Sequence, residues 1–152
     1  MIGACGTKGS SESAKYVASQ ISLIQFKQPE FYFSVMKRVL PDLNDVRKSY
    51  SSEGWDGYGA KPVLEATYHR ALEFLQTLPD TMSTPAVDAE SDGYITLEWY
   101  QSPARTLTVS ITPTGELYYA ALIGPNRRFG KEYFFGEPSK DIIELAARVE
   151  GE

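Results

Sequence analysis

Hydrophobic positions along this chain change period once, close to Gly93. Before that point they recur at helical spacing. Leu64, Tyr68, Ala71, Leu75 and Leu78 follow one another at intervals of four, three, four and three, which places them on one side of a helix predicted from Pro62 to Leu78 and stopped by Pro79 and Asp80. Further upstream, Phe31, Val35, Met36 and Val39 share a face of a helix that opens at Pro29 and Glu30, and Pro41 is expected to end or kink it, because proline lacks the backbone donor and crowds the preceding turn. Leu43, Val46 and Tyr50 then line a second short helix from Asp42. Ala14 to Phe26 fits a short helix or an extended segment about equally and is read as helix.

Beyond Gly93 the period is two. Ile95, Leu97 and Trp99 alternate with Thr96, Glu98 and Tyr100, and Leu107, Val109 and Ile111 alternate with Thr106, Thr108 and Ser110. Glu116 to Ile123 is apolar on both faces, as an interior strand would be, and Phe129 to Phe135 forms a fourth strand. Pro85, Val87 and Ala89 can add a short edge strand within the polar connection before Asp92. The turns are short, so the neighbours are antiparallel. Ser139 caps a last helix, with Asp141 at its positive end and Ile142, Ile143, Leu145, Ala146 and Val149 buried. The expected fold class is α+β: an antiparallel four-stranded meander packed on one face by helices, with N-terminal helices and a C-terminal helix. Residues 1–13 are small, polar and glycine-rich and read as a mobile leader. Residues 14–152 read as one domain, helical over 14–52, with helix, meander and last helix over 53–152.

Composition alters this picture in three ways. At 152 residues and 42% hydrophobic content the chain supports one core. Its net charge is −5, so nucleic acid is an unfavourable partner, yet the balance is uneven: residues 1–50 carry seven basic and four acidic side chains, a balance of +3, and the remainder −8. The positive part is expected to lie against the negative body of the same chain or on an acidic partner. Cys5 is the only cysteine, which excludes an internal disulfide and suits a reducing, cytoplasmic setting, and no run of about 20 apolar residues is present to cross a membrane.

Candidate chemistry is sparse. His69 is the sole histidine and falls off the apolar stripe of its helix, Cys5 sits in the leader, and no serine occupies a nucleophile elbow. No cofactor and no metal is expected. The W-D-G-Y-G-A-K-P run from Trp55 to Pro62 marks a tight loop opening onto a helix. Asp56 is expected to accept backbone N–H groups in that turn, with Trp55 and Tyr58 packed over helix or sheet as a clasp. Its alternative roles are ligand contact and acid–base work. Glu98, beside Trp99, should point from the open side of the sheet together with Tyr100. Arg127, Arg128 and Lys131 read as a basic hairpin tip.

The loop and the later D-G-Y-I-T-L-E-W segment, Asp92 to Trp99, resemble a group of small bacterial proteins that carry a W-D-G-x-G-A-x-P turn, a helix and a D-G-x-x-x-x-E-W strand. The resemblance spans roughly residues 53–123 and implies a bacterial, cytoplasmic accessory protein of the sort encoded on mobile genetic elements. It brings no activity with it. Two functions stand first for these residues, ahead of an acidic inhibitor imitating nucleic acid that the −8 balance after residue 50 suggests. One is a non-enzymatic module that binds another protein or a second copy of itself. The other is a small-molecule binder or hydrolase whose pocket lies between the Trp55 to Ala60 loop and the sheet, anchored by Asp56 or Glu98. Trp55, Asp56, Tyr58, Glu98 and Tyr100 are the candidate binding residues.

Overall fold

A computed structural model describes residues 34–151. The chain divides between Tyr32 and Phe33, and the described residues all belong to the second unit. The leader, the segment from Ala14 to Phe26, the helix start at Pro29 and Cys5 lie outside the described residues. Among the described residues there are three helices and a five-stranded antiparallel sheet: α1 Ser34–Ser49, α2 Glu65–Gln76, β1 Ala86–Ala89, β2 Ile95–Ser102, β3 Arg105–Ile111, β4 Glu116–Ile123, β5 Asn126–Tyr133 and α3 Lys140–Glu150. The strands lie in chain order, β1-β2-β3-β4-β5, so the sheet is a plain meander. Its class is α+β as expected. The sheet has five strands rather than four, because Ala86 to Ala89 pairs with Glu98 to Ile95 and puts Val87 and Ala89 onto the core face.

Among the described residues the helices cover one face only. Ile95, Leu97 and Trp99, Leu107, Val109 and Ile111, and Leu117 and Ala121 are buried on that face, against Val39 and Leu43 of α1, Phe74 and Leu75 of α2, and Ile142 and Ala146 of α3. Trp99 anchors the layer. It is almost fully buried, and its indole N–H donates to the Ser83 carbonyl at 3.0 Å, so the one polar atom of the ring is satisfied.

Three helix and strand boundaries differ from expectation. Pro41 neither ends nor splits α1, which runs unbroken for 16 residues. Val35 and Val39 before the proline, and Leu43 and Val46 after it, are all buried, and keeping them on one face outweighs the lost bond to the Lys37 carbonyl. Pro62 is not a first helical residue: Val63 donates to Tyr50 O at 2.8 Å in an extended segment, and α2 begins at Glu65 after the extended Leu64. The last strand begins at Asn126, not Phe129. Gly124, at φ 61°, and Pro125 make a two-residue turn that pairs Ile123 with Asn126, so Arg127, Arg128 and Lys131 belong to the strand itself rather than to a hairpin tip. At the C-terminal helix the expected cap is found. Ser139 Oγ accepts the Ile142 amide at 3.2 Å, and Gly151 closes the other end in the left-handed conformation at φ 99°.

Candidate functional site

The Trp55 to Pro62 loop is held by its own backbone. Gly54 N–H donates to Ala60 O at 2.7 Å, and Gly57 N–H donates to Gly54 O at 2.9 Å. Asp56 Oδ1 accepts the amides of Tyr58 and Ala60 at 2.8 and 2.9 Å. The bonds from Ala60 and then Tyr58 hold its carboxyl below the usual aspartate range, since both favour the ionised form. Trp55 donates its indole N–H to Lys61 O at 2.9 Å and lays its ring against Tyr50 at the end of α1, centroids 4.4 Å apart. Tyr58 takes no part in this clasp. It is 95% exposed, because the turn that directs its amide to Asp56 carries its ring outward.

The loop does not stand alone. Lys61 N–H donates to Ser91 O at 2.8 Å, joining it to the turn before β2. Gly93 in that turn has φ +86°, and a Cβ there would lie 2.6 Å from the Pro62 carbonyl oxygen. Only glycine fits this contact without displacing backbone. The two sequence motifs, thirty residues apart, therefore meet as one unit. Next to the contact is a depression of about 340 Å³ whose walls include Lys61, Pro62, Thr67, Asp92, Tyr94 and Pro113. Thr67 is fully buried, and its hydroxyl has no hydrogen-bond partner among the described residues. Neither Asp56 nor Glu98 lines this depression.

Glu98 and Tyr100 belong to a different surface. Both point from the uncovered face of the sheet, where Tyr100 is 61% exposed. Glu98 lies five residues into the chain past Gly93, about 17 Å along an extended strand, so the structure separates the five candidate residues into two groups. Around Glu98 and Tyr100 the same face gathers groups that periodicity alone does not connect. Glu90 Oε1 accepts the hydroxyls of Thr96 and Ser110, bridging β2 and β3. Tyr94 stacks on Tyr118 with centroids 6.4 Å apart and planes within 6°. Lys131 Nζ reaches Glu116 Oε1 at 2.6 Å and lies over the rings of Tyr118 and Tyr133 at 5.3 and 5.4 Å. Hydrogen bonding to Glu116 raises the Lys131 ammonium above its ordinary range, and the same bond, with help from Tyr133, lowers Glu116.

Toward the far end of β5, Phe129 is 85% exposed beside a shallow depression of about 210 Å³ floored by Thr106, Thr108, Ala120 and Leu122. The alternation of Arg127, Phe129, Lys131 and Tyr133 is the signal that could have placed these side chains on this face, once Asn126 is taken as the strand start.

Among the described residues no group of three His, Cys, Asp or Glu side chains is arranged to hold a metal ion, and no helix is long and apolar enough to cross a membrane. His69 lies exposed on α2, 4.0 Å from Glu65. No protein-family profile matches the chain, and no curated protein or solved structure matches it either.

Proposed function

We propose that this chain is a non-enzymatic accessory protein of the bacterial cytoplasm that acts by binding another protein, or a second copy of itself, through the uncovered face of its sheet. The observation that carries this reading is the set of aromatic rings left in solvent on that face: Tyr100 at 61%, Tyr133 at 55% and Phe129 at 85% exposure. Tyrosine and phenylalanine bury large area for little lost side-chain entropy, and interfaces are enriched in them for that reason. The interleaved Glu98, Lys131 and hydroxyl-bearing threonines supply the polar groups that fix orientation. The bacterial setting, and a place on mobile genetic elements, rest on the two motifs that the loop and the first long strand carry.

The test is capture by tagged protein from bacterial lysate, with wild type compared against Glu98→Lys and Tyr100→Ala. Both changes are on the surface and should leave the fold intact. A specific protein retained by wild type and lost from both variants is the expected result. Retention of the same proteins by all three, or a wild-type monomer that retains nothing, rules the reading out.

The depression beside Thr67 favours a second reading, a binder of small polar molecules with hydrolysis as its further possibility. A buried hydroxyl without a partner costs about 1–3 kcal/mol, and a ligand group that paired with it would recover that cost. On this reading a metabolite raises the melting temperature of wild type but not of Thr67→Val. A screen with no shift, together with a Thr67→Val protein more stable than wild type, discards it.

A further inference from the structure

We propose that two copies of this chain pair antiparallel along β5, with the twofold axis at Gly130, to give one continuous ten-stranded sheet. This goes beyond the binding proposed above, because it uses the edge of the sheet and not its open face. The sheet has two edges, and they are unlike. β1 has four residues and packs against α1. β5 has eight, pairs with β4 in unbroken register, contains neither proline nor bulge, and is exposed for most of its length. A bare row of N–H and C=O groups invites another strand, and natural edges are blunted by proline, bulges or charged side chains; β5 carries only the charges, Arg127, Arg128, Lys131 and Glu132, which repel a partner unless it sets opposite charges or rings against them.

The orientation of those groups follows from the turn. In a two-residue hairpin closing on Ile123 and Asn126, the even-numbered residues bond to β4, and Phe134, whose amide donates to Gly115 O at 2.8 Å, continues that parity. Arg127, Phe129, Lys131 and Tyr133 therefore direct their backbone groups to the free edge.

The side chains select a partner that has the same sequence. A twofold axis perpendicular to the sheet pairs residues of the same face, so the candidate axes fall at Phe129, Gly130 or Lys131. An axis at Gly130 sets Arg128 opposite Glu132 twice, Arg127 opposite Tyr133, and Phe129 opposite Lys131. Each of these pairs is then either opposite in charge or cation against ring, a favourable combination. Moving the axis to Phe129 sets Arg127 against Lys131, and moving it to Lys131 sets that lysine against itself, and like charges directly opposite are destabilising. The residue on an axis faces its own copy, and here it is a glycine. A side chain at Gly130 would also meet Tyr119, since a Cβ would lie 2.3 Å from the phenol oxygen. Glycine inside a strand commonly marks the close approach of another backbone.

The experiment is sedimentation of wild type, Arg128→Glu and Glu132→Arg, each alone and the two variants mixed in equal amounts. Wild type is expected to sediment as a dimer. Each single variant replaces both opposite-charge pairs with like-charge pairs and should weaken the dimer by roughly tenfold or more. The mixture restores both pairs in a heterodimer and should recover the wild-type mass, which no unfolded variant could do. As an arm that needs no substitution, hydrogen exchange of wild type should show the amides of Phe129 and Lys131 gaining protection as concentration rises. A wild type that stays monomeric at its highest soluble concentration overturns the pairing. So does a dimer that both single variants keep, or β5 amides whose exchange ignores concentration. None of these results affects partner loss on Glu98→Lys, which reads the open face separately.

Discussion

Asp56 shows how a carboxylate in a loop of aromatic and glycine residues can be absorbed by the fold. One of its oxygens accepts two amides, from Tyr58 and Ala60, and those bonds lower its affinity for a proton. A group whose folded pKa is depressed contributes stability that is present above its unfolded pKa, about 3.9, and is lost as pH falls through the folded value. Asp56→Asn should therefore melt a few degrees below wild type at neutral pH, and the gap should close as the pH is taken below about 4. Melting curves across an acid series test this, and a gap independent of pH would mean that the ionised form has no special role. The turn-closing aspartate and the need for glycine could be read from the residue types. That Gly93 is pressed against the Pro62 carbonyl could not, because the contact joins two turns separated by a whole helix. Thr67 was invisible for a similar reason: it is buried, and the depression it lines is walled in part by Asp92, Tyr94 and Pro113, which are far from it in the chain.

At the level of elements, local rules misled where tertiary burial opposed them. Proline in a helix interior costs about 3 kcal/mol, which argues for a break at Pro41, yet four buried aliphatic residues spread across both sides keep α1 whole. Pro41 is itself exposed, so Pro41→Ala gives up no packing and restores a donor to the Lys37 carbonyl. The gain is offset in part by the greater freedom of the unfolded chain. A net stabilisation of about 1–2 kcal/mol is expected from denaturant titration, and no gain would show that α1 already accommodates the proline without loss. The same opposition explains β5. Its first residues are charged and its turn contains proline, so local composition favours a longer loop, while the Gly124 conformation permits the tight hairpin that extends pairing to Asn126.

For the larger unit as a whole, the decisive fact is that, among the described residues, helices cover one face of the sheet and leave the other open. Ile95, Leu97 and Trp99 against Thr96, Glu98 and Tyr100 make that asymmetry legible, because a period of two assigns each residue to a side. The predicted α+β class and the helix-covered meander follow from it. Alternation by itself does not say which residues of different strands become neighbours. The amino-acid order determined the periods, the turns, the capped last helix and the two faces, since these depend on residues a few positions apart. Only the tertiary structure decided that Lys61 meets Ser91, that Lys131 lies between Glu116 and two tyrosines, and that β5 rather than β1 is the long open edge. Those arrangements depend on strand register and on which helix lies over which edge, and both are settled by contacts between segments far apart in the chain.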